Sequence, residues 1–143
     1  MTTNRILRIV GLSMSAPTAW DDITSSVEEG TPTVAKSDGV GALQFSVARY
    51  SAGQRPTYDE SSLRSLITEW IRNRGLEPQG VTLEQTASNQ FAWVDAVKSE
   101  DLIRVFYITD GRDLAFATYL RFFRDNDPEE LAEVMAIIRS LRF

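Results

Sequence analysis

The sequence has 143 residues, of which 43% are hydrophobic, 10% aromatic and 24% charged, proportions of one globular domain over 1–143 and not of a disordered or collagen-like chain. It contains no cysteine and no histidine, which excludes disulfides, thiolate nucleophiles, iron–sulfur clusters, the usual zinc ligands and a Ser–His–Asp triad. Twenty acids against fifteen bases leave a net charge of −5, which makes nucleic acid a poor partner.

In chain order, residues 5–12 (RILRIVGL) predict a first strand. A corner at Pro17–Trp20 leads into a short strand at Trp20–Ile23, and the polar stretch to Gly39 holds one more at Thr33–Lys36. Residues 41–50 alternate, with Leu43, Phe45 and Val47 on one face and Gln44, Ser46, Ala48 and Tyr50 on the other. Residues 53–56 form a turn into a helix. Thr57-Tyr58-Asp59-Glu60 matches a capping box, with Thr57 at the cap. Leu63, Leu66, Ile67, Trp70 and Ile71 then form one apolar stripe, placing Trp70 in the core, and Gly75 stops the helix. The remainder predicts an antiparallel meander of Val81–Thr86, Phe91–Lys98, Leu102–Thr109 and Asp113–Phe123. Asp110-Gly111 carries the chemistry of a two-residue hairpin, and Ser99–Asp101 is short enough for another. Asp127 as N-cap and Pro128 at the first position open a second helix, whose stripe is Leu131, Val134, Met135, Ile138 and Leu141. The expected fold is α+β: a single antiparallel sheet with two helices packed against it.

No stretch approaches the roughly 18 apolar residues of a membrane span. Near the N-terminus Arg5 and Arg8 flank only Ile6 and Leu7, unlike the apolar run of a signal peptide. A cytoplasmic location with no membrane partner is expected.

The residues give little support to catalysis. Asp21-Asp22 and Glu28-Glu29 are adjacent pairs that read as solvated loop charge. No P-loop or EF-hand spacing is present, and Gly39-Val40-Gly41 reads as a turn before a strand. The expectation is no enzyme, no cofactor and no metal site. The charge pattern says more. Residues 95–133 hold ten acids and five bases, so the whole acidic excess lies there. Solubility alone accounts for such a surplus; a basic protein partner would also use it. Strand 102–109 spans about 25 Å, which separates the acids into two ends. Asp110 and Asp113 lie at one, and Glu100, Asp101, Asp125 and Asp127 at the other. Asp127, Glu129 and Glu130 belong to a helix start. Glu100, Asp101 and Asp125 have no local role and are the candidate partner-binding residues.

Three segments carry a resemblance: Ala16-Pro17-Thr18-Ala19-Trp20, Gly41-Ala42-Leu43-Gln44-Phe45-Ser46, and the ending Glu130–Phe143 with Ile137-Ile138-Arg139-Ser140-Leu141-Arg142-Phe143. In this order they resemble small bacterial proteins of PsbP-like fold, a group that includes DcrB-like proteins and immunity proteins of polymorphic toxin systems. The histidine metal sites of photosystem relatives have no counterpart here, and no motif carries over the activity of Ran-binding relatives. A short acidic chain looks most like the immunity group. That resemblance implies a cytoplasmic protein that binds and occludes a cognate, basic toxin or effector. The alternative is a chaperone or adaptor for a secreted effector.

Overall fold

The computed structural model describes residues 3–49, 52, 53, 57–78 and 80–143. The expected positions of Tyr50 and of turn residues 54–56 lie outside them. The first element is a hairpin and not one strand. Strand β1 (Asn4–Ile9) pairs with β2 (Leu12–Pro17) around Val10 and Gly11, whose φ angles are 49° and 80°. A tight hairpin needs positive φ at both central residues. A β-branched Val is an uncommon occupant, so the apolar run RILRIVGL conceals its own turn.

Strands β3 (Trp20–Asp22), β4 (Thr33–Lys36) and β5 (Gly41–Ala48) follow, then α1 (Glu60–Asn73), β6 (Glu77–Pro78), β7 (Thr82–Gln85), β8 (Gln90–Lys98), β9 (Asp101–Thr109), β10 (Leu114–Phe122) and α2 (Pro128–Ser140). Eight strands make one antiparallel sheet in the order β3-β4-β5-β10-β9-β8-β6, with β7 also on β8. The expected α+β sheet with two helices is therefore present. The expected strand over 81–86 is the shorter β7.

Alternation along the strands gives the sheet two apolar faces. On one, Phe45, Phe91, Phe106, Ile108 and Tyr119 pack against the β1–β2 hairpin and the Val134, Ile137 and Ile138 stripe of α2. On the other, Ala92, Val94, Ala96 and Val105 receive Leu63, Ile67 and Ile71 of α1. The two helices thus lie on opposite faces. The last residues close the first layer: Ser13 and Arg142 exchange backbone hydrogen bonds of 2.9 and 2.8 Å.

Three local expectations are corrected. The α1 N-cap is Asp59, not Thr57: its carboxylate accepts the Ser62 N–H at 2.9 Å. An acid there adds its charge to the positive helix end. Asp110-Gly111 does not make a two-residue hairpin. Register places Thr109 opposite Leu114, so residues 110–113 form a longer loop in which the Asp110 carboxylate accepts the N–H groups of Arg112 and Asp113. Trp70 is only half-buried, because Leu63, Ile67 and Ile71 centre the stripe and Trp70 sits on its flank. Its ring lies 5.8 Å from that of Phe116, with the Arg74 guanidinium 4.1 Å above it. Trp20 is the fully buried tryptophan.

Gly39 and Gly41 have a packing role that a turn assignment misses. A Cβ on Gly41 would come within 2.6 Å of the Tyr119 ring and 2.7 Å of the Leu120 carbonyl; one on Gly39 would collide with the Glu130 carboxylate. The bare backbone lets Val40 N–H reach Glu130 Oε1 at 3.1 Å.

Candidate functional site

The β8–β9 hairpin turns through Ser99, whose φ is 56°, and Glu100, closing on the pair Lys98 and Asp101. Asp101 is also the register partner of Phe122, and Phe123 donates its N–H to the Glu100 carbonyl at 2.6 Å. Asp125 follows in a turn, its N–H on the Phe122 carbonyl at 3.1 Å. Backbone pairing thus brings the Glu100–Asp101 turn beside the exit of β10. Arg121 fixes that exit from inside: Nη1 donates to the carbonyls of Phe122 and Phe123 at 2.9 Å each, and Nη2 to Asn126 at 3.4 Å.

With the backbone pinned, the apolar side chains of this segment face solvent. Leu120, Phe122 and Phe123 are 45%, 52% and 57% exposed. Grouped apolar exposure of this kind marks interaction surfaces more often than idle ones. A groove of about 320 Å³ runs beside Leu120 and Phe122, between residues 39–42 at the start of β5 and Asp101. None of the three was singled out from the sequence. The available signal was Phe122-Phe123: adjacent residues at a strand end point to opposite sides, so both cannot enter one core.

The acids of 95–133 divide by partner. Asp95 receives Arg104 at 2.6 and 2.8 Å, with the guanidinium stacked 3.9 Å from the Trp93 ring. Asp113 is buried with Arg49 Nη1 at 3.3 Å, and Glu133 holds Lys36 at 2.8 Å. Desolvation opposes the ammonium of Lys36, but that hydrogen bond and the surrounding acids raise its pKa overall. Asp127 caps α2 by accepting the Glu130 N–H at 3.0 Å. Glu130 is more than a helix-start acid. Its side chain is fully buried and accepts the Tyr119 hydroxyl as well as Val40 N–H. Burial, then the bond to this carboxylate, pushes the Tyr119 phenol well above its ordinary pKa.

Glu100, Asp101 and Asp125 are different. Among the described residues none of their carboxylates takes part in an ion pair or side-chain hydrogen bond. Their nearest cations along the chain are Lys98 and Arg124, whose guanidinium lies 5.9 Å from the Phe122 ring. Among the described residues no three acids are grouped as metal ligands, and no helix is long and apolar enough to cross a membrane. The end of the sheet therefore offers exposed aromatic and aliphatic surface rimmed by unneutralised carboxylates, a chemistry of docking.

No protein-family model and no curated protein matches the sequence. Solved structures do match the fold. The chain is similar to a point mutant of the protein Mog1, at a TM-score of 0.60 and 9% identity over 98% of this chain and 95% of that one. It is similar to the cyanobacterial PsbP protein CyanoP of Synechocystis sp. PCC 6803, at 0.58 and 11% over 99% and 93%. A Bacteroides thetaiotaomicron VPI-5482 protein matches at 0.51 and 13%, over 92% of this chain but 44% of its own length. At these identities the likeness speaks for architecture alone. The fold of this chain is PsbP-like.

Proposed function

We propose that this chain is a non-enzymatic binding protein that occludes a basic protein partner with this end of the sheet, acting in the cytoplasm as an immunity protein against a cognate toxin. One juxtaposition supports the reading: Leu120 and Phe122 on one face of β10, and Phe123 at its end, stand exposed beside Glu100, Asp101 and Asp125, whose carboxylates form no ion pair among the described residues. Buried apolar anchors supply most of the affinity of a protein interface, and rim charges speed the encounter. A basic partner would find both at one end of the sheet.

The test is binding to, and inhibition of, the product of the adjacent gene, which this reading expects to be a basic protein. The double variant Phe122→Ala/Phe123→Ala should weaken binding by roughly 30-fold or more, as loss of interface anchors does. Inhibition on binding separates occlusion from the chaperone or adaptor role, in which the bound partner stays active. Unchanged affinity in the double variant would place the interface elsewhere.

A further inference from the structure

Helix α1 covers only part of its face of the sheet. Its apolar stripe packs on β8 and β9, and Trp70 at its flank reaches as far as Phe116 on β10. Beyond Trp70 the face is open. There a groove of about 310 Å³ has a floor of Trp70, Leu76, Ile103 and Leu120, with Arg74 and Lys98 among its lining. That volume lies at the lower end of the range for small-molecule sites.

The two cations are the informative part. Both are exposed, and neither is in an ion pair or hydrogen bond through its side chain among the described residues. The Arg74 guanidinium stacks on Trp70 at 4.1 Å, while the Arg74 backbone N–H caps the last turn of α1. The stacking holds the guanidinium in place without consuming its N–H donors. Lys98 closes the β8–β9 hairpin opposite Asp101, with no ion pair between them. The described lining contains no acid. An apolar floor bordered by two unneutralised cations matches a ligand with an apolar body and one anionic head.

We infer that this groove binds a small amphiphilic organic acid, its ring or short acyl chain over Trp70, Ile103 and Leu120 and its carboxylate between Arg74 and Lys98. The groove adjoins the acidic end, with which it shares Leu120, and its binding does not depend on a protein partner. Its carboxylate recognition rests on residues that the proposed docking surface does not use.

The probe is 8-anilinonaphthalene-1-sulfonate, an aromatic anion whose fluorescence rises on binding, with 4-phenylbutyrate as competitor. Saturable one-to-one binding is expected, displaced by 4-phenylbutyrate and not by the uncharged 4-phenylbutanol. Arg74→Ala/Lys98→Ala should weaken binding tenfold or more, and the charge-retaining Arg74→Lys/Lys98→Arg should restore most of it. Phe122→Ala/Phe123→Ala should leave it unchanged, which separates this site from the docking surface. Absence of saturable binding, equal displacement by the alcohol, equal affinity in the Arg74→Ala/Lys98→Ala variant, or loss confined to the phenylalanine variant would each overturn the inference.

Discussion

Tyr119 and Glu130 meet in the core, where the phenol donates to the carboxylate and Val40 N–H donates to the same group. Replacing Glu130 by Ala strands the buried Tyr119 hydroxyl and the part-buried Val40 N–H, and a cost of roughly 2–3 kcal/mol is expected. Urea unfolding measures it. Titration of Tyr119 gives a second expectation. Its folded pKa is raised, so the folded chain holds the proton more tightly than the unfolded one. The corresponding stability is fully present below the unfolded value near 10 and is lost as pH rises above it. Urea midpoints should fall between pH 9 and pH 11, and Tyr119→Phe should flatten that fall. The tryptophans separate by burial in the same way. Trp20→Ala should cost ~3–5 kcal/mol as a full core truncation. Trp70→Ala, at a half-buried flank, should cost about half as much. Equal losses would mean that Trp70 is as much a core residue as Trp20.

At the scale of elements, legibility followed the strength of the local signal. Alternation in 41–50 and the stripe of Leu63, Leu66, Ile67, Trp70 and Ile71 each had one period, and β5 appears over Gly41–Ala48 and α1 with Leu63, Ile67 and Ile71 buried. The Asp127-Pro128 start of α2 is equally direct. The β1–β2 hairpin was hidden because Val10 supplies a positive φ that sequence chemistry reserves for Gly, Asn and Asp. At α1 two overlapping caps competed, and the carboxylate of Asp59 prevailed over the hydroxyl of Thr57. Hydrogen bonds from Ser62 hold the Asp59 pKa below its usual value. Asp59→Ala should therefore lower the melting temperature more than Thr57→Ala, and a larger loss in the Thr57 variant would restore the capping box. For the candidate site, the position of Glu100, Asp101 and Asp125 at one end follows from strand lengths alone. The exposure of Leu120 and Phe122 does not, because it depends on how far α1 reaches across the sheet.

At the scale of the molecule, one sheet separates two cores, and the layers over it are unequal. The hairpin and α2 together seal one face, while α1 alone leaves part of the other open toward β10 and β5. The acidic excess is redistributed by the same architecture. Asp95, Asp113 and Glu133 have cationic partners, Asp110 and Asp127 cap backbone, and Glu130 is buried. Glu129 is exposed in the first turn of α2, and the carboxylates at the Glu100 turn and at Asp125 remain to act outward beside the exposed phenylalanines. Rim charges of this kind act chiefly on the rate of encounter, and salt screens them over about 10 Å at 0.1 M.

The most direct test of docking at this end is the association rate with the adjacent-gene product, measured by stopped flow from low to physiological salt. Wild-type association should be fast and slow steeply with salt. The variant Glu100→Lys/Asp101→Lys/Asp125→Lys should associate at least tenfold more slowly at low salt and lose that slope. An unchanged rate and an unchanged salt dependence in the variant would contradict the account.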